Sequence, residues 1–222
     1  MQDGIFDSTS PGLHATRLNP EAGTHPIPED PRELAAALLA SARVLVRYPY
    51  LLMRFGERGK RFADSDSAWL ATLVRHPQQR VNAQTAWLGE VLASRGMPRI
   101  LLECHLEILA EELRHVDTIR AEDADKLAVA AETLAARRRA WIEDTRIATI
   151  ARSFEQGLGD AWLKRLPNTA EIIASAIADE ADGLTEAVSS TLGWLTDAER
   201  FPQTWIAAVE SALAQTRASL KR

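Results

Sequence analysis

Glu112-Leu113-Arg114-His115 sets a carboxylate and an imidazole three residues apart, a spacing that brings both to one face of an α-helix. Di-iron bundles use two such pairs and two further glutamates. Only one pair occurs in this chain, so Glu112 and His115 are candidate metal ligands that need help from another helix. The plainer reading is a solvated helix end with His115 beside the last carbonyls. His105 stands two turns earlier. With Glu112 and His115 it makes a candidate set for haem, another tetrapyrrole or iron, although His105 and Glu112 are roughly 10 Å apart along a helix. Cys104 adjoins His105, and sequence neighbours on one helix point apart, so the pair is unsuited to Cys–His catalysis. Cys104 reads as a small apolar residue.

The segment FGERGKRF, residues 55–62, has two glycines and three cations, with Arg54 just before it. Arg54, Arg58, Lys60 and Arg61 are candidate anion ligands, since the glycines could expose backbone N–H groups. The phosphate-loop pattern G-x-x-x-x-G-K-[ST] is missing, as are H-E-x-x-H, C-x-x-C, G-x-S-x-G and G-x-G-x-x-G. Arg137-Arg138-Arg139 are interleaved with acids and read as a solvated, salt-bridged face. The cluster Asp179, Glu180, Asp182, Glu186 reads the same way, because Mg²⁺ chemistry would need a second acidic motif facing it.

The elements that would position these groups are helices. Over residues 80–116 two amphipathic patterns meet at a short corner. Val81, Gln84 or Thr85, Leu88 and Val91 with Leu92 mark the first; Leu102, Leu106, Leu109 and Leu113 step by four, three and four in the second. Gly96 is expected to end the first helix with a positive φ, and Pro98 to start the next, giving an antiparallel hairpin at the centre of the fold. Upstream, Asp30-Pro31-Arg32-Glu33 reads as an N-cap with a capping box. Pro49 predicts a break, a short helix ends at Gly56, the loop 55–62 follows, and Asp64 or Ser65 caps a helix carrying Trp69 and Leu70. Downstream, one long helix is expected over 121–156, with a thin stripe through Leu127, Ala131, Leu134 and Arg138. Asn168 with Glu171 and Thr196 with Glu199 read as further capping boxes. The six tryptophans are expected to fill core.

No segment alternates with period two, so the expected fold is all-α, a bundle of about seven or eight helices with a flexible N-terminal tail. The tail is expected over 1–29, which is rich in Pro, Gly, Thr and Asp and lacks the apolar core of a signal peptide. The helical domain is expected over 30–222, with a division into 30–118 and 119–222 as one option. A net charge of −5 gives no general attraction to nucleic acid or an anionic membrane. The single cysteine forms no internal disulfide, which fits a cytoplasmic protein, and no apolar run is long enough to span a bilayer.

Residues 47–113 resemble a helical module of bacterial cobalamin-binding sensor and regulator proteins. The likeness rests on Arg54-Phe55-Gly56-Glu57-Arg58-Gly59, Asp66, Trp87-Leu88, Val91-Leu92, Arg95-Gly96-Met97-Pro98 and the leucine-rich helix that follows. It implies a helical sensor-like or adaptor module. Trp69 stands where that pattern has a histidine, and the D-x-H-x-x-G signature is missing, so cobalamin binding is not implied. The expected function is a non-catalytic helical sensor or protein-interaction module, with a protein partner or a second copy as its partner. The alternative is a bundle holding haem, a tetrapyrrole or iron through the His/Glu helix.

Overall fold

A computed structural model describes residues 12–221, and among them the secondary structure is helical. Ten α-helices run in the order α1 (Pro31–Arg47), α2 (Pro49–Thr72), α3 (Gln78–Ser94), α4 (Arg99–Arg114), α5 (Ala121–Trp141), α6 (Asp144–Gln156), α7 (Asp160–Arg165), α8 (Thr169–Ala181), α9 (Glu186–Leu195) and α10 (Gln203–Ser219). That is two or three more than expected, and no strand occurs among the described residues. No described helix is long and apolar enough to cross a membrane.

Helix α4 organises the fold. Leu102, Leu106, Leu109 and Leu113 face a core built with α1, the C-terminal part of α2, α3 and α5. Leu101 and Cys104, on its other side, face a second core built by α6, α8, α9 and α10. A helix buried on both sides needs apolar residues around most of its circumference, and burial of each large side chain contributes about 1.5–3 kcal/mol. The expected hairpin of α3 and α4 exists, but α4 packs more extensively on α5 and α1 than on α3. The second core also takes Val44, Tyr48 and Tyr50 from the end of α1 and the start of α2.

Several sequence expectations change. Residues 12–29, expected within a flexible tail, fold against α2; a 3-10 turn at Ala15–Arg17 and a bridge from His14 to Pro26 close the segment. Its physical anchors are the buried Ala15, Asn19 and Ile27. The rest of the expected tail, 1–11, lies outside the described residues.

The expected loop 55–62 is helical except at Gly56, whose φ of 60° and ψ of −158° suit only a residue without Cβ. One glycine thus kinks α2, and the helix resumes at once. The expected long helix 121–156 is broken at Ile142, which is extended and fully buried in the second core.

At the caps, Asp30 accepts the Arg32 amide at 2.8 Å as expected. Glu33 does not close the box. It accepts from Arg75 at 2.6 Å and from the Thr118 hydroxyl at 2.8 Å. The Asn168 side chain caps nothing and instead donates to the Arg47 carbonyl at 2.9 Å, while Glu171 accepts from the Tyr48 hydroxyl. Helix α10 starts at Gln203, so Thr196 and Glu199 lie outside it.

Candidate functional site

The residues singled out from the sequence do not converge. Glu112 pairs with Arg43, which also bonds Glu111 at 2.8 Å. His115 is the exposed C-cap of α4. Among the described residues no group of three or more His, Cys, Asp or Glu side chains is placed to hold a metal ion.

The four cations also part company. Arg54 covers the C-terminal end of α3, donating to the Gly96 carbonyl and, at 2.7 Å, to the Ser190 carbonyl, with Tyr50 beside it. A guanidinium suits that negative end of a helix dipole. Arg58 and Arg61 both reach Glu21, and Lys60 bonds Asp64 at 2.7 Å. All four are thus engaged by this chain's own acceptors.

Of the charged clusters read as solvated, one member of each, Arg138 and Asp179, is buried, while Arg137, Arg139 and Glu180 are part-exposed and Glu186 is exposed. Asp179 is fully buried and accepts from the Arg99 amide at 2.9 Å and its Nε at 2.6 Å. Arg138 sits on Glu103, 2.9 Å from its carboxylate, with both side chains buried. These pairs join α4 to α8 and α5. Trp69 and Trp205 fill core, but Trp87 is half exposed.

What does assemble is a cavity of about 610 Å³ among α1, α2, α3 and α4. That volume lies in the range of small-molecule pockets, roughly 300–1,000 Å³. A second hollow of 340 Å³, between α6 and α10, has no charged lining residue. The large cavity's walls are mostly apolar, with Leu70, Leu88, Leu101 and Leu102 deep in it and Phe55 and Phe62 on the kinked α2. Its polar groups are few. Glu21, Arg58 and Arg95 are exposed and frame the mouth; Ser41 and His105 are buried; Asp66 lies on the α2 wall.

The hydrogen bonds fix what these groups present. The Ser67 hydroxyl has one proton and donates it to the Ala37 carbonyl at 2.7 Å. His105 Nε2 lies 2.8 Å from the same oxygen, so it is the imidazole that donates, and Nε2 carries the proton. Nδ1 is then an unprotonated acceptor, and among the described residues it has no protein partner. Burial holds the ring neutral, with its pKa pushed down to about 4 despite the opposing influence of Asp64. The Ser41 hydroxyl likewise donates away, to Asp64 at 2.8 Å, leaving its lone pairs.

The Asp66 carboxyl has no hydrogen bond and no ion pair among the described residues. Burial raises its pKa to about 6, and the Arg95 charge only partly offsets this. Cys104 lies in the second core; burial pushes its thiol up to about 11, far from a reactive thiolate.

The sequence nominated His105 but not the site around it. The missed signal is Asp66 itself, four residues after Phe62 and four before Leu70, an acid on an otherwise apolar helical stripe. For the haem reading, Nε2 is spent on Ser67, so only Nδ1 keeps a lone pair for a metal. Comparison with models of known protein families, with curated proteins and with solved structures returns no match.

Proposed function

We propose that the chain is a non-catalytic, sensor-like helical module that holds a small, mostly apolar molecule in the cavity among α1–α4. The observation that carries this is a mostly apolar cavity of 610 Å³ into which Asp66 and His105 Nδ1 present acceptors. Catalysis is not favoured: Cys104 lies in the second core, and the Ser41 hydroxyl is bonded to Asp64 rather than to His105.

The segment resembling the cobalamin-sensor helical module, 47–113, supplies α2, α3 and most of α4, and so most of the cavity wall. The resemblance and the cavity support the same reading, with regulation by ligand as its biological sense.

The test uses the neutral, polarity-sensitive dye Nile red. One dye per chain, with blue-shifted emission, is expected. Ala63→Trp, which fills the cavity from α2, should abolish binding while helicity stays unchanged. Equal binding by this variant would overturn the reading. Addition of hemin to the same samples separates the alternative: a Soret band lost on His105→Ala would favour a haem-binding bundle.

A further inference from the structure

We infer that the cavity ligand is an apolar molecule bearing a primary amine, its ammonium seated on Asp66 and its hydrocarbon body between α3 and α4. The inference rests on the cavity being the binding site, as proposed above.

Beneath the mouth, each polar group presents an acceptor. His105 offers Nδ1 and cannot offer Nε2–H, which is spent on Ser67. Ser41 has given its proton to Asp64. Asp66 offers a carboxylate with no donor on it. The donors that line the cavity, Arg58 and Arg95, stand exposed at its mouth, and Arg58 is held by Glu21 at 2.7 Å.

A ligand is selected by what the protein cannot satisfy alone. An exposed arginine is solvated and gains little from a new ion pair, whereas Asp66, half-buried in the cavity wall with no hydrogen-bond donor on it, gains more from a cation seated beside it. An ammonium brings three donors and a charge to that carboxylate. A carboxylate ligand would put a second negative charge beside Asp66. An alcohol would supply one donor and no charge. Leu88, Leu92 and Leu102, which line the cavity on α3 and α4, then receive an alkyl or ring body.

The probes are octylamine, octanol and octanoate, titrated calorimetrically into the full chain at pH 8. Octylamine should bind at least tenfold more tightly than octanol, and octanoate most weakly. Asp66→Asn should bring octylamine to the level of octanol, and Asp66→Glu should keep the preference. Far-UV spectra and melting temperatures confirm that the variants are folded.

Equal affinity for octylamine and octanol would overturn the inference, and so would an amine preference that survives Asp66→Asn. Tightest binding of octanoate would overturn it too, assigning the head group to Arg95. If Nile red binds and is blocked by Ala63→Trp while these preferences fail, only the ligand class is wrong. If neither the dye nor any octyl compound binds, the cavity is not a site and both readings fall.

Discussion

Asp66 and His105 share one cavity and respond to acid in opposite ways. The carboxyl has its pKa raised from 3.8 to about 6 by burial, so between those values the folded chain holds a proton that the unfolded chain has lost. Stability from this group is therefore full at low pH and lost as pH rises towards 6. The imidazole has its pKa lowered from 6.5 to about 4, so the unfolded chain holds the extra proton. Its contribution is full above 6.5 and lost as pH falls towards 4. Between about pH 4 and 6 the two slopes cancel. Asp66→Asn is expected to unmask His105, giving stability that rises with pH across this window. It should also stabilise the ligand-free protein at pH 7, by about 1–3 kcal/mol. His105→Gln should unmask Asp66 and give the opposite slope. Urea denaturation from pH 4 to 7 checks both. Slopes of the same sign in the two variants would show that these groups do not titrate as their burial requires.

At the scale of elements, the corner after α3 was the most legible part of the chain. Gly96 has a φ of 81°, its amide donates to the Ala93 carbonyl at 3.0 Å, and the Met97 amide reaches back to Leu92 at 2.9 Å. This is the Schellman pattern that glycine favours. The sequence did not disclose that Arg54 lies across this glycine, where an added Cβ would collide with its guanidinium. Gly96→Val therefore meets backbone strain of about 1–3 kcal/mol and must also displace Arg54 from the end of α3. Its cost should reach that of Leu106→Ala, about 2–5 kcal/mol, in thermal melts. A harmless substitution would mean that the corner tolerates another path.

Elsewhere, local rules pointed to local partners and long-range contacts prevailed. Glu33 was placed well for a capping box but finds Arg75 and Thr118 instead. Gly56 looked like a helix end, yet a single residue in its special conformation lets α2 continue with a kink. Asp66 was visible as a member of a motif, but its lack of a partner is a property of four packed helices. No spacing along one chain segment could reveal it.

Across the whole molecule, the two cores meet through α4, and the charges that seemed superficial lie at that junction. Arg99 bonds Asp179 and, at 2.8 Å, Asp182, to which Arg137 and Trp141 also donate. Arg138 bonds Glu103 on α4 and, at 2.6 Å, Asp144 just past the break at Ile142. Pattern reading treats a run of arginines as a solvent face because an unpaired charge is excluded from a core. It misses the case where the partner comes from another helix.

Such a pair contributes little net stability over an apolar one, because both ions lose water, but breaking it strands a charge. Arg138→Met should therefore cost about 3–5 kcal/mol, since Glu103 is left buried without its cation. The joint replacement Arg138→Met with Glu103→Leu should recover most of that loss. Because α4 belongs to both cores, unfolding reported by Trp69 in the first and Trp205 in the second should coincide in the wild-type chain. Chemical denaturation of single-tryptophan variants would check this. A double replacement no more stable than Arg138→Met alone would mean that the pair itself, rather than the stranded acid, holds α4 to α5.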